Sequence, residues 1–87
     1  MRSGLALDVA YQVAETLHSD EHDLIQKAVG WMLREAGKRD SARLERHLRI
    51  HGATIPRTTV RYAIERFAPA TRQALLVATR STERRLR

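Results

Sequence analysis

The sequence predicts an all-α fold of short antiparallel helices, about five in number. Three observations predict it. Apolar residues recur three and four apart along most of the chain, the period of amphipathic helices. No segment alternates apolar and polar residues for long enough to make a strand. Glycine and proline stand singly between the periodic stretches, where helices stop and start. Two arrangements satisfy this pattern, a closed small bundle or a piece of an α-solenoid. No internal repeat is visible, but divergent helical repeats need share only their apolar spacing.

The first helix is expected over Leu5 to Leu17, with Ala6, Ala10, Val13, Ala14 and Leu17 at helical spacing. A polar break, His18-Ser19-Asp20-Glu21, follows, and its acids suit the positive start of the next helix. The second helix is expected from Glu21 to Ala36, with Gly37 as its C-cap and Lys38 and Arg39 at its negative end. Asp40 or Ser41 then caps a third helix, Ala42 to His51, with Leu44 and Leu48 on one face and Gly52 ending it. Pro56 suits the first turn of a fourth helix running to Phe67, with Val60, Ala63, Ile64 and Phe67 turned inward. Pro69 opens a fifth, Ala70 to about Thr79. These elements make one helical domain, residues 1–79, and leave a basic, frayed tail at 80–87.

Length and charge bound what the chain does. Its 87 residues allow one small domain, marginal in stability by itself. There is no cysteine, which removes disulfides, thiol chemistry and Cys-type zinc sites and fits a reducing cytoplasm. The formal charge is +6 and the isoelectric point near 11, which favours acidic partners such as nucleic acid. No run of 18 apolar residues exists, so no membrane span is expected. Asp8 and Gln12 interrupt the apolar start and argue against a signal peptide.

The second helix is the most informative stretch. Successive residues turn by about 100°. On that wheel Leu24, Ile25, Ala28, Val29, Met32, Leu33 and Ala36 make a broad apolar arc, wide enough to meet helices on two sides. Trp31, the sole tryptophan, sits at its margin, with Lys27, Arg34 and Lys38 on the same side. Such cations can hold phosphates while the indole packs on a sugar or base. The plain alternative is a packing tryptophan beside a solvated charged face. Gly30, a weak helix former in mid-helix, needs a close neighbour to explain it.

A second basic patch falls on the fourth helix, where Arg57 and Arg61 are four apart and can form a phosphate clamp. The alternative is an Arg61–Glu65 surface ion pair. Catalytic motifs are nearly absent. His47 and His51 have a spacing that can bind metal, but no third ligand is evident, so neither a metal centre nor a cofactor is expected. His18, His22, Asp20 and Asp23 form a second cluster, which helix capping explains. Glu35 is the one acid near Trp31, and a salt bridge to Arg39 is its expected role.

The segments HDLIQKAVGWMLREAGKRD (His22 to Asp40) and PRTTVRYAIERF (Pro56 to Phe67) resemble the C-terminal region of AlkD-like DNA alkylation repair proteins, with a looser likeness over Leu7 to Leu75. The resemblance implies a fragment of a HEAT-like α-solenoid whose concave basic face holds duplex DNA. It also implies removal of cationic alkylated purines by N-glycosidic cleavage, without metal or cofactor. In that family an aspartate and two tryptophans surround the lesion. Trp31 matches the more C-terminal tryptophan, and Arg34 matches a DNA-contacting arginine. The aspartate, the first tryptophan and the other arginine have no counterpart here, and Asp8, Asp20, Asp23 and Asp40 do not take the missing place.

Two functions are therefore expected. The first is sequence-independent binding of alkylated duplex DNA through Trp31, Lys27, Arg34, Lys38, Arg57 and Arg61, nucleoid-associated in the cytoplasm and without glycosylase activity in the isolated chain. The second is a non-catalytic interaction module that forms a homo-oligomer through Val9, Val13 and Leu17 of the first helix.

Overall fold

The computed structural model describes residues 3–80, with side chains from residue 6 onward. Beyond Arg80 the expected tail lies outside the described residues. Helix α1 is Ser3–Leu17, α2 Asp23–Arg39, α3 Ser41–His51, α4 Arg57–Ala63 and α5 Pro69–Ala78, with a 3-10 turn at Gly52–Thr54 between α3 and α4. No strand occurs among the described residues, so the chain is all-helical as expected. No described helix is long and apolar enough to cross a membrane.

Helix α2 is the hub. It packs most extensively on α4 and also meets α1 and α3, while α5 lies on α3. The core joins all five helices through Tyr11, Ala14, Val29, Leu33, Ala36, Leu44, Leu48, Val60, Ala63 and Leu75. Leu33, Leu48, Val60 and Leu75 are fully buried. Burying one such side chain stabilises the fold by about 1.5–3 kcal/mol, so these few residues carry much of it.

Gly30 marks the tightest approach. A Cβ there would lie 2.5 Å from Tyr62 Cβ and 2.9 Å from the Thr59 carbonyl oxygen. Thr59, itself buried, closes the same seam by donating its hydroxyl to the Gln26 carbonyl at 2.9 Å. The missing side chain at position 30 lets α4 reach α2 at backbone distance.

Several boundaries differ from expectation. Gly37 is not a C-cap: α2 continues through it to Arg39, and no glycine among the described residues has a positive φ. Its missing Cβ instead makes room for Leu44, whose Cδ2 would sit 2.5 Å from one. Helix α2 begins at Asp23 rather than Glu21 because Asp20 and His22 close a turn first, with the His22 amide donating to the Asp20 carboxylate at 2.8 Å. Gly52 opens the 3-10 turn in right-handed conformation, buried against Thr79. Helix α4 ends at Ala63, not Phe67, because Ile64 leaves helical geometry and the chain turns back through residues 64–66. Asp40 does cap α3, accepting from the Arg43 amide at 3.0 Å.

The α2 arc is narrower than expected. Val29, Leu33 and Ala36 are buried and Ile25 and Met32 partly so, but Leu24 and Ala28 face solvent. The packed helices cover the other flank and leave that one open.

Candidate functional site

The open flank of α2 carries the tryptophan. Trp31 is 54% exposed and Leu24 78% exposed. The series Lys27, Trp31, Arg34, Lys38 steps by four, three and four residues, which sets all four side chains along one side of the helix. Trp31 is thus an exposed aromatic among cations rather than the core anchor of the plain reading.

Lys27, Arg34 and Lys38 are each matched to an acid. Lys27 pairs with Asp23 at 3.0 Å, and that hydrogen bond raises its pKa. Lys38 pairs with Glu35 at 3.0 Å, which lowers the Glu35 pKa. Glu35 also meets Arg34 at 3.5 Å, so its partners are Lys38 and Arg34, not the expected Arg39. Arg34 crosses to the end of α4 and bonds Glu65. The alternative Arg61–Glu65 pair does not form: α4 ends at Ala63, before Glu65, which pairs with Arg34 instead. These pairs are exposed or partly exposed and worth little each, so an incoming phosphate can displace the acids.

Arg34 and Lys38 also share a cleft of about 190 Å³ with Ser41, Ala63, Arg66 and Phe67, between α2 and the end of α4. Arg66 joins the basic group here, which the sequence did not disclose. Its place depends on the turn after Ala63, and helical spacing continued through Phe67 misplaces it. The Arg34 Nε is buried without a hydrogen-bond partner.

The two arginines of α4 separate. Arg57 turns to the C-terminal end of α5, donating to the Thr79 carbonyl at 3.1 Å, the Thr79 hydroxyl at 3.0 Å and the Leu76 carbonyl at 3.2 Å. It serves as the cap of a helix whose last carbonyls lack intrahelical donors. Partial burial lowers its pKa, with Arg61 and Arg80 adding repulsion. Arg61 is exposed and has no carboxylate within 4.0 Å among the described residues.

A second cluster forms between α1 and α3. His18 and His47 are both buried, with Nε2 atoms 3.0 Å apart. His51 packs against His47 in a tilted arrangement, 4.6 Å between centroids, and its Nε2 lies 3.5 Å from a Glu15 carboxylate oxygen. Burial pushes the His47 pKa down to about 4 and lowers that of His18 as well. His18 and His22 do not form a cluster: His22 pairs with Asp20 at 2.9 Å, while His18 turns inward. Helical spacing gave His47 and His51, but Glu15 and His18 come from another element, so their approach depends on packing.

The model of a family described as DNA alkylation repair enzyme matches residues 4–67, from the first turn of α1 to just past α4. No curated protein and no solved structure matches the chain.

Proposed function

We propose, from the premise that this chain belongs to the DNA alkylation repair enzyme family, that it is a HEAT-like helical module which binds alkylated duplex DNA through the open flank of α2. The observation that carries this is Trp31, more than half exposed on a helix where Lys27, Arg34 and Lys38 share its side. The cations hold backbone phosphates, and the indole lies against a sugar or a cationic base, where its π-face attracts positive charge. Arg61 and Arg66 extend the basic surface from α4. Arg57 adds only the donors that α5 leaves free.

Glycosylase chemistry in the family's manner also needs a carboxylate to stabilise the cationic sugar, and no acid among the described residues stands in that role. Glu35, the acid nearest Trp31 in sequence, is neutralised by Lys38 and Arg34. The isolated chain binds and does not cleave.

The test is fluorescence anisotropy with a labelled duplex across salt concentrations. Five phosphate contacts, from Lys27, Arg34, Lys38, Arg61 and Arg66, imply roughly a 500-fold loss of affinity between 50 and 200 mM salt. Trp31→Ala should weaken binding about tenfold, by analogy with stacking contacts worth about 1–3 kcal/mol, and should leave the melting temperature unchanged. An affinity indifferent to salt would sink the proposal. Release of 7-methylguanine or 3-methyladenine by this chain, lost in Trp31→Ala, would overturn the non-cleaving part.

One observation favours a second reading. Val9 and Val13 of α1, four residues apart, are 51% and 41% exposed. An apolar strip of this kind suits self-association or a neighbouring helical unit. Sedimentation showing a stable oligomer that DNA does not dissociate would support it over DNA binding.

A further inference from the structure

We propose that Glu15, His47 and His51 form a binding site for a divalent transition-metal ion of the zinc class, with His18 beside it as a further imidazole. The three residues present one carboxylate oxygen and two ring nitrogens, all within 4.8 Å of one another. That spread is close to what a shared ion draws together. Ligands about 2.0–2.1 Å from a tetrahedral zinc stand about 3.3 Å from each other. The Glu15–His51 distance, 3.5 Å, already has that value. The His18–His47 Nε2 contact, 3.0 Å, is a hydrogen bond between the two rings, so His18 orients His47 rather than joining the ligand set.

The supporting scaffold is rigid. His47 and His51 are one helical turn apart on α3, so their rings project to the same side. Glu15 comes from α1, and His18 from the residue immediately after it. His47 is buried, and its ring is held on one side by Tyr11 at 4.9 Å between centroids. His51 and Glu15 stay open to a cleft that an ion can enter. A buried histidine, a half-open histidine and an exposed carboxylate give one fixed ligand and two that adjust.

The charged groups around the cleft are Arg43, Arg46, Asp40 and Glu15. Arg43 is already engaged, paired with Asp8 at 2.7 Å and stacked 4.6 Å over Tyr11. Arg46 opposes a cation, and Asp40 and Glu15 favour one. Two imidazoles and one carboxylate select zinc, nickel or copper over magnesium or calcium, which prefer oxygen. The ion would pin α1 to α3. This site shares no residue with the α2 flank and does not depend on DNA binding.

The test is calorimetric titration of the full chain, freed of metal with EDTA, with zinc chloride and separately with magnesium chloride. One zinc per chain should bind with roughly micromolar affinity, magnesium should not, and saturating zinc should raise Tm by about 5 °C or more. Glu15→Gln and His51→Asn lie at the surface and should keep the helical circular dichroism spectrum while each weakening zinc at least tenfold. His22→Asn should leave zinc binding unchanged. Absence of zinc binding by the folded chain at 100-fold excess overturns the site. So does binding that survives both surface substitutions, or binding that His22→Asn removes.

Discussion

The Nε2 atoms of His18 and His47 face each other at 3.0 Å inside the protein, where neither ring is more than 6% exposed. Two buried imidazoles at that distance cannot both be charged, and burial depresses both pKa values, that of His47 to about 4. The unfolded chain has an ordinary histidine pKa near 6.5, so it takes up protons first as pH falls. Stability is therefore full above pH 6.5 and declines as pH falls towards 4. For His47 alone the loss by pH 5 is on the order of 2 kcal/mol. Urea unfolding in EDTA at pH 7, 6 and 5 measures it in a range where carboxylates stay ionised. A flat profile there would show that the pair is not buried as described, and His47→Gln should reduce the slope to the part that His18 contributes.

Gly30→Ala should destabilise the protein by about 1–2 kcal/mol net. Alanine favours a helix over glycine by up to about 1 kcal/mol, so propensity alone predicts a gain. The new methyl group meets Tyr62 Cβ and the Thr59 backbone, none of which is the mobile end of a side chain. Overpacking of this kind costs about 1–3 kcal/mol and occasionally more. Denaturant unfolding of the two proteins decides the sign.

Arg57→Met should lower stability by about 1–2 kcal/mol, through loss of the cap on α5. Lysine cannot reach the Thr79 and Leu76 carbonyls together, so Arg57→Lys should recover only part of the loss. The effect on DNA affinity should be smaller than that of Arg34→Met. Thermal unfolding and anisotropy on the same variants separate the two roles, and a large affinity loss at unchanged Tm would reassign Arg57 to the DNA surface.

Glu65→Gln should tighten DNA binding about threefold and steepen its salt dependence, because Arg34 is released to the phosphates. The stability cost should stay below about 1 kcal/mol, as for other partly exposed pairs. Weaker DNA binding in this variant would mean that Glu65 positions Arg34 instead of competing for it.

Much of the fold was legible. Isolated prolines and the apolar period placed all five helices, and Leu44, Leu48, Val60, Ala63 and Ile64 are buried as expected. The errors arose where tertiary contacts override local signals. Gly37 has the composition of a cap, but Leu44 makes it an interior residue. Phe67 keeps helical spacing after the helix has ended at Ala63. The α2 side chains could be placed on a wheel because one helix holds them. Arg57 could not, since its partners Leu76 and Thr79 lie some twenty residues on, and no periodicity relates α4 to α5. Glu15 and His18 met His47 and His51 by the same long-range packing.

The backbone contact at Gly30 immediately precedes Trp31. The peptide that carries the indole is therefore clamped against α4 before any ligand arrives. A tryptophan has two side-chain torsions, and here they are nearly all the freedom left at that position. The entropy lost on ordering it in a complex is correspondingly small, so contact area converts to affinity with little loss. Loosening the seam, for example by Thr59→Val, which removes the bond to Gln26, should speed dissociation from DNA without altering any residue that touches it.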